Sequence, residues 1–276
     1  MIFSFWHTRE GFSGISLLEL LTIKSWLDKG YEFNLYTYDL KNETFKKITS
    51  LYKNFILKDA REIIPLNHLF FDDRGAGLAA FSDYFRFCTL YERGGVWVDL
   101  DMICLNYFDF NTKEYLFIKE IDDDINKQRI TTSLIKYPQQ SLFGKELINK
   151  ANKLINDQKI VPWGIIGPSF LAKMCQNFSY EKYAQDYLFA CQIPWSQSKK
   201  FIHKKADIDW NMPCLHLFTE MWRTYEMDKN CFYIQGIYAT LLKKYDMKNF
   251  TKELNFKTNH ELFIKIKNKI KKLINF

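Results

Sequence analysis

Four charged side chains in one short stretch suggest chemistry on a phosphate-bearing ligand. Residues 79–104, AAFSDYFRFCTLYERGGVWVDLDMIC, contain Asp83, Arg86, Asp99 and Asp101. Two neighbouring aspartates offer only oxygen ligands, and Mg²⁺ and similar hard cations prefer carboxylate, water and phosphate oxygens. Because two close carboxylates repel each other, we expect a divalent cation between them. The alternative, two solvated aspartates at the end of a strand, stays open for an isolated Asp-x-Asp pair.

The first half of this stretch is predicted to be a helix. Apolar residues recur every three or four positions, at Leu78, Phe81, Phe85 and Cys88. That spacing is typical of a helix with one buried stripe. Asp83 and Arg86 are three positions apart and therefore share a face of the helix. The Gly94-Gly95 pair ends it, since glycine readily adopts the conformations that follow a helix.

The second half is predicted to be a buried strand that runs from Val96 to Met102. β-branched and aromatic residues favour the strand. Side chains alternate along a strand, so Asp99 and Asp101 point to the same side. In a fully extended strand their positions are roughly 6 to 7 Å apart. The sequence therefore predicts that both carboxylates face one site, beside the helix that carries Asp83.

The combined pattern resembles a known enzyme family. Ser82-Asp83-x-x-Arg86, a glycine pair and an aromatic strand ending in Asp99-x-Asp101 are similar to the signature of DXD-containing, GT-A-fold glycosyltransferases. Similar segments occur in glycosyltransferase family 32, in bacterial capsular polysaccharide glycosyltransferases and in the glucosyltransferase domains of large clostridial toxins. The spacing agrees without an insertion.

The resemblance implies a fold and roles for these four residues. The fold would be α/β of the GT-A kind, Rossmann-like, with a mostly parallel central sheet flanked by helices. All four residues would be catalytic. Asp99 and Asp101 would hold Mn²⁺ or Mg²⁺, with Asp101 as the more direct ligand, and Asp99 would also reach the ribose of the donor. Asp83 and Arg86 would bind the hydroxyl groups of the donor sugar.

The amino-terminal segment extends the resemblance to the nucleotide site. The chain opens with a predicted strand (2–6), a helix (16–29) that stops before Gly30, and a strand (32–38), which together form a βαβ unit. By resemblance, Trp6 and His7 would lie near the base and the ribose, and the segment from Tyr36 to Asp39 would border the same pocket. A purely structural role for Trp6 in the core is equally open. The sequence contains no dinucleotide-binding fingerprint and no P-loop.

Two later segments supply the remaining candidates. Gly167-Pro168-Ser169 is predicted to open a helix, with Pro168 near its first turn. By resemblance this element borders the acceptor or the phosphates, and a helix amino terminus favours anionic oxygens. The segment from Cys214 to Arg223 resembles the family's late His-Leu-x-x-Glu-x-Trp sequence, which makes His216 the candidate third metal ligand. A lone histidine in an apolar stretch is also commonly a structural residue.

Composition limits the possible class of protein. With 276 residues and 47% hydrophobic content, the chain is long and apolar enough for one large domain. We expect a catalytic domain over 1–250 and a basic amphipathic helix over 251–276, where seven lysines and two glutamates give a net charge of +5. The rest of the chain is nearly neutral, which argues against a nucleic-acid partner. The six cysteines show no zinc-ligand spacing and are expected to be reduced.

These observations and the resemblance predict a glycosyltransferase that uses a nucleotide-diphosphate sugar, and the resemblance implies that this donor is a UDP-sugar. By resemblance, it would act on a saccharide or lipid-linked saccharide acceptor in bacterial capsular or lipo-oligosaccharide synthesis, with retention at the anomeric carbon. A metal-dependent nucleotidyltransferase and a non-catalytic nucleotide-sugar-binding module are the alternatives. The start of the chain does not match a signal peptide, and no apolar run is long enough to span a bilayer. We therefore expect a cytoplasmic protein whose basic tail contacts the inner face of the membrane.

Overall fold

A seven-stranded sheet lies at the centre of the computed structural model, which describes residues 1–9, 11–12, 14–74, 77–122 and 124–260. Its strands, in chain order, are β1 (Ile2–Phe5), β2 (Phe33–Thr37), β3 (Phe55–Asp59), β4 (Val96–Val98), β6 (Leu116–Asp122), β7 (Asp124–Lys136) and β8 (Ala184–Gln185). Strand β5 (Met102–Cys104) pairs outside this sheet with β9 (Cys214–His216). The order across the sheet is β3-β2-β1-β4-β7-β6-β8.

Most neighbouring strands of this sheet are parallel. Strand β1 pairs in parallel with β2 and β4, and β2 pairs in parallel with β3. Only β7 runs against its two neighbours, β4 and β6. Strands β6 and β7 form a hairpin whose tip includes Asp122 and Asp124. The predicted α/β fold with a mostly parallel central sheet flanked by helices is confirmed.

Helices cover both faces of the sheet. They are α1 (Leu17–Asp28), α2 (Glu43–Leu51), α3 (Ala79–Arg93), α4 (Leu142–Asn156), α5 (Pro168–Asn177), α6 (Thr219–Thr224), α7 (Gly236–Lys244) and α8 (Met247–Glu253). One apolar core includes side chains of α1, α7 and α8. The core on the opposite face includes side chains of α3, α4 and α5. Two layers of helices therefore bury the sheet, as expected when parallel strands have apolar side chains on both faces.

The opening βαβ unit forms because its helix has a strong start signal. The Ser16 side chain accepts a hydrogen bond at the helix start, and Glu19 bonds back to the Ser16 backbone, which forms a capping box. The helix then buries nearly its whole circumference, including Trp26. The predicted helix and both flanking strands are confirmed to within a residue or two at each end.

The carboxy-terminal region differs from the prediction. The boundary proposed at residue 250 falls inside α8, because Phe250, Thr251 and Leu254 are buried against the domain. Asn259 and His260 were expected to begin the amphipathic helix, but they form strand β11 (Asn259–His260) and pair with β10 (Cys231–Phe232). The remainder of the predicted basic helix, residues 261–276, lies outside the described residues. Across the described ranges, no helix has the combined length and apolarity needed to cross a bilayer.

Candidate active site

The candidate site lies where the carboxyl ends of β1, β2 and β4 meet. Strands β1 and β4 are neighbours in the sheet. The chain continues from β1 to β2 and β3 on one side, and from β4 to β6 and β7 on the other side. Open α/β sheets bind ligands at such a switch point, in the crevice beyond the carboxyl ends of the strands. His7 follows β1, Asp39 follows β2 and Asp99 follows β4. The sheet therefore brings three of its polar loops to one edge.

The predicted continuous strand from Val96 to Met102 is wrong. Strand β4 stops at Val98, and the Met102 amide donates to the Asp99 carbonyl at 3.0 Å, which closes a turn. The chain then enters β5, which leaves the central sheet to pair with β9. The two aspartates still face one site. The turn brings them together, and not the alternation of side chains along a strand.

Asp99, Asp101 and His216 form the candidate metal group. Their potential ligand atoms all lie within 4.8 Å of one another. The Asp101 Oδ1 atom lies 3.2 Å from Nε2 of His216. The structure therefore brings together the three side chains that the sequence and the family resemblance nominated as metal ligands.

His216 reaches this group through strand pairing. In the β5–β9 pair, Met102 is opposite His216, and the Leu217 amide donates to the Asp101 carbonyl at 2.9 Å. The next residue, Phe218, has a positive φ of 51°. That conformation is uncommon for a bulky residue, and here it turns the chain sharply into α6.

Thr219, at the start of α6, is a site residue that the sequence analysis missed. Its amide and its hydroxyl donate to Asp101 Oδ2 at 2.8 and 2.9 Å. Threonine after an apolar strand is a familiar helix-start signal, but nothing in the local sequence connects it to an aspartate in the first half of the chain. Thr219 fixes the orientation of the Asp101 carboxylate.

Opposite charge controls the ionisation of Asp101 and His216. Burial would raise the pKa of Asp101, but the charge of His216 and hydrogen bonds from His216 and Thr219 outweigh burial and lower it. Burial would lower the pKa of His216, but the Asp101 carboxylate outweighs it and raises that pKa. In the absence of a bound cation, the two side chains form a buried ion pair.

Asp83, Arg86 and Asp99 form the candidate sugar-binding end of the site. Arg86 bridges the two carboxylates, at 3.1 Å from Asp83 and 3.0 Å from Asp99. The Asp83 and Arg86 side chains are only 8% and 5% exposed. Burial raises the pKa of Asp83 to about 6, despite the nearby Arg86. Trp97 donates from its indole to Asp99 at 2.9 Å and holds that side chain in the cluster.

The predicted Gly167-Pro168-Ser169 element reaches this end of the site through Gly167. A Cβ atom on Gly167 would lie 3.4 Å from Asp83 Oδ2, so the glycine backbone lies directly against that carboxylate. Pro168 begins α5, as predicted, and is partly buried. Ser169 is exposed in the first turn.

The loop after β1 forms the candidate nucleotide end. Asp39 lies near enough to His7 to raise its pKa, although burial has the larger effect and lowers it overall. The His7 ring meets Tyr38 edge-on at 5.5 Å, and its buried Nδ1 atom has no hydrogen-bond partner within the described residues. Trp6 is partly buried and donates to Thr8. The Nδ1 atom of His7 could therefore bind a nucleotide group.

The assignment of Tyr36 to the nucleotide pocket is wrong. Its side chain is 1% exposed and packs between Phe3 and Phe85 in the core. Arg93 and Glu62 are the groups that affect the pKa of the Tyr36 hydroxyl. Arg93 is at the carboxy-terminal end of α3, whereas Asp83 lies near the amino-terminal end of the same helix. The Tyr36 hydroxyl therefore lies away from the site. Alternation along β2 turns Tyr36 into the core, and the loop residue Asp39 instead lies near His7.

A second loop, which contains Asp72 and Asp73, reaches the sugar-binding end of the site. The Asp73 amide donates to the Val161 carbonyl, and the Trp163 amide donates to the Asp73 side chain at 2.8 Å. Asp72 is buried, raises the pKa of Asp83 through its charge, and has one carboxylate oxygen without a partner within the described ranges. The loop therefore connects the segment before α5 to the sugar-binding end.

The donor set fits a hard divalent cation. Asp101 accepts three hydrogen bonds, but an ionised carboxylate offers about four lone-pair sites, so it retains capacity for a metal. Asp99 is 27% exposed and opens the group to solvent. Asp83, Asp99 and Asp101 are balanced at most by Arg86 and His216, which leaves net negative charge. Mn²⁺ and Mg²⁺ both suit such an oxygen-rich group.

Comparisons with known proteins agree with this geometry. Residues 18–121 match a family model described as a glycosyltransferase sugar-binding region containing a DXD motif. No curated protein sequence matches the chain significantly.

Several solved structures are partly similar to this chain. The PaToxG glycosyltransferase is 14% identical, with a TM-score of 0.47 over 64% of this chain and 68% of its own. The apo form of the glycosyltransferase GlyE in Streptococcus pneumoniae TIGR4 is 13% identical, with a TM-score of 0.47; 90% of this chain is covered, but only 63% of the GlyE chain. The catalytic domain of alpha-toxin from Clostridium novyi is 12% identical, with a TM-score of 0.35 over 56% of this chain and 59% of its own.

The family match spans the first βαβ helix, the Asp83–Arg86 pair and the Asp99–Asp101 turn, which are the elements that build the site. Residues 18–121 are therefore similar to the sugar-binding region of DXD-containing glycosyltransferases, and they lie in a chain with a mostly parallel α/β sheet.

Proposed function

We propose that the protein transfers a sugar from a nucleotide-diphosphate sugar to a saccharide acceptor, with a divalent cation held by Asp99, Asp101 and His216. The observation that carries this proposal is the convergence of those three side chains next to the Arg86-bridged pair of carboxylates. One group suits a cation with its diphosphate, and the other suits sugar hydroxyls. Their adjacency matches a donor that carries both.

In the transfer step, negative charge builds on the diphosphate as the bond to the anomeric carbon breaks. A bound Mn²⁺ or Mg²⁺ would stabilise that charge as a Lewis acid. Thr219 and His216 hold Asp101 in one orientation, so the carboxylate does not have to reorganise as charge develops.

The sugar-binding residues orient the donor. The Asp83 carboxylate accepts hydrogen bonds from sugar hydroxyls, and Arg86 fixes the position of Asp83 and Asp99 relative to each other. The backbone of Gly167 lies directly against Asp83 and limits the position of that carboxylate. Correct placement of the anomeric carbon supplies much of the rate in reactions of this kind.

The stereochemical proposal is retention. An inverting enzyme needs a carboxylate base beside the acceptor hydroxyl. Glu120 and Glu220 are the two glutamates considered for that role. Glu120 is buried in an ion pair with Arg129, and Glu220 is bound by Arg74 and Arg223. Both are therefore engaged with arginines, which favours a mechanism without such a base.

The finer proposals concern the donor, the acceptor and the location. By family resemblance, we propose a UDP-sugar donor, and an acceptor that is a saccharide or lipid-linked saccharide of a bacterial capsule or lipo-oligosaccharide. The enzyme would act in the cytoplasm at the inner face of the membrane. A nucleotidyltransferase or a non-catalytic binding module would bind related ligands, so turnover must separate them.

A donor screen tests the proposal. UDP-, GDP- and CMP-sugars are tested in thermal-shift and hydrolysis assays with Mn²⁺ or with a chelator. One sugar nucleotide should raise the melting temperature only with Mn²⁺ and release free sugar slowly without an acceptor. Stabilisation with no sugar release, even after addition of saccharide acceptors, would indicate a binding module. Formation of a sugar nucleotide from sugar phosphate and nucleoside triphosphate would indicate a nucleotidyltransferase.

A further inference from the structure

A second cluster of metal-ligating side chains lies behind His216. Potential ligand atoms of Glu120, Cys191 and His216 all lie within 4.8 Å of one another, and all three residues are buried. Neither Glu120 nor Cys191 has a role in the transfer reaction described above. The cluster shares His216 with the candidate metal group of Asp99 and Asp101.

Three distant parts of the chain build this cluster. Glu120 lies on β6, Cys191 follows the short turn at Tyr187–Phe189, and His216 ends β9. The His216 amide donates to the Ala190 carbonyl at 2.6 Å, which fixes Cys191 beside the imidazole. Arg129 donates to one oxygen of Glu120 at 2.8 Å and fixes that side chain. The backbone and the ion pair therefore hold all three side chains in place.

His216 has one nitrogen available for this cluster. Its Nε2 atom is paired with Asp101, while its Nδ1 atom is buried and makes no aligned hydrogen bond within the described ranges. The His216 side chain is only 9% exposed, and the Cys191 thiol lies close enough to interact with the imidazole. A thiol is a weak hydrogen-bond partner, and a metal ion in this cluster would bind both the sulfur and the imidazole nitrogen.

The chemistry of the cluster differs from that of the Asp99–Asp101 pair. A thiolate, an imidazole and a carboxylate form a mixed set that suits Zn²⁺, whereas the aspartate pair suits Mg²⁺ or Mn²⁺. A sulfur ligand therefore selects a different ion from the one that assists transfer.

We propose that Glu120, Cys191 and His216 form a second metal site that takes Zn²⁺, and that occupation of this site withdraws His216 from the cation that assists transfer. As Zn²⁺ binds, bonds form from the metal to Cys191 Sγ, His216 Nδ1 and a Glu120 oxygen, and the protons on the thiol and on Nδ1 are released to the buffer. The neutral imidazole then has its one lone pair on the zinc, and Nε2 keeps its proton and does not bind the other cation. Zinc thus acts as an inhibitor. The inhibition rests on the proposed function; the zinc site does not.

Cobalt spectroscopy tests the site without any activity assay. Co²⁺ replaces Zn²⁺ in such sites, and a thiolate ligand gives an intense near-ultraviolet charge-transfer band. Titration of the full chain should show this band saturating at one equivalent, and Zn²⁺ should abolish it. Cys191→Ala should lack the band, whereas the matched control Cys175→Ala, which removes a buried cysteine of α5, should keep it. A missing band in the wild type, or a band that persists in Cys191→Ala, would overturn the site.

X-ray absorption of the zinc-loaded wild-type chain needs no variant, so it decides the question even where Cys191→Ala fails to fold. One sulfur neighbour at about 2.3 Å is expected, and a shell of nitrogen and oxygen alone would overturn the proposal.

A competition assay then tests the shared histidine. Zn²⁺ should inhibit Mn²⁺-dependent donor hydrolysis, and Cys191→Ala should need at least about tenfold more Zn²⁺ for the same inhibition, since a lost ligand or its supporting partner typically weakens metal binding by that order. If Zn²⁺ inhibits the wild type and Cys191→Ala equally, zinc bound at Cys191 does not withdraw His216 from the other cation. A chain that turns over no donor yet shows the cobalt band would refute the proposed function and leave the zinc site standing.

Discussion

The two ends of the candidate site are built in different ways. The sugar-binding end rests on Asp83 and Arg86, three residues apart on one helix and both deeply buried. The metal group joins Asp99 and Asp101 to His216, a residue from the second half of the chain. The first end is balanced by its own arginine, whereas the second has two carboxylates around one histidine. The comparison indicates that the Asp83–Arg86 pair stabilises the fold and also binds the donor. The metal group, in contrast, is completed only by a cation.

The largest effect is expected from removal of Arg86. Arg86→Met leaves the buried Asp83 and the partly buried Asp99 without their shared partner, and breaking a buried ion pair from one side typically costs about 3–5 kcal/mol in the free energy of unfolding. Urea denaturation measures that cost.

Lys46→Met is the control, because Lys46 forms an exposed pair with Glu43 and should cost no more than about 1 kcal/mol. Equal losses in the two variants would show that the sugar-binding end does not support the fold, and the contrast between the two ends would fail.

A pH profile separates the two ends further. Burial raises the pKa of Asp83 to about 6, so the carboxylate gains a proton, and loses its ability to accept from sugar hydroxyls, as the pH falls below that value. The kcat/KM for donor hydrolysis should therefore fall about tenfold per pH unit below pH 6.

Asp83→Asn should lower kcat/KM by roughly 10- to 100-fold at neutral pH, since a hydrogen bond to a charged group is worth about 1.5–3 kcal/mol. The variant should also lose the acidic limb of the profile. If the acidic limb is still present in Asp83→Asn, another group titrates there, and Asp83 does not bind the donor.

The smallest effect is expected at the nucleotide end. His7→Leu removes the unpartnered nitrogen beside Tyr38 and should weaken UDP binding about five- to tenfold, the value of one ordinary hydrogen bond. Isothermal titration of UDP with saturating Mn²⁺ measures this change. The exposed His203→Leu serves as control and should bind UDP like the wild type. Unchanged affinity in His7→Leu would remove His7 from the nucleotide site.

The sequence predicted the parts of the site that depend on local spacing. The buried stripe of α3, the Asp83–Arg86 pair and the stop at Gly94-Gly95 all follow from helix periodicity and glycine conformation, and each is present. The position of Pro168 in the first turn of α5 was predictable for the same reason.

Local spacing did not predict features set by tertiary contacts. The turn at residues 99–101 forms because β5 pairs with β9, a partner more than a hundred residues away. Thr219 and the Glu120–Cys191 cluster depend on that same pairing. Tyr36 was misplaced because β2 is buried on both of its faces, so its sequence does not distinguish a core position from one that borders the pocket.

The central claim is that Asp99, Asp101 and His216 hold a divalent cation, and an Mn²⁺ titration followed by electron paramagnetic resonance tests it most directly. Wild-type protein should bind one Mn²⁺, and UDP should tighten that binding. Asp101→Asn can keep its hydrogen bonds from Thr219, so it should fold but bind Mn²⁺ at least about tenfold more weakly, since loss of a ligand removes a major share of affinity. The exposed Asp124→Asn should match the wild type. Wild-type affinity for Mn²⁺ in a folded Asp101→Asn protein would contradict the account.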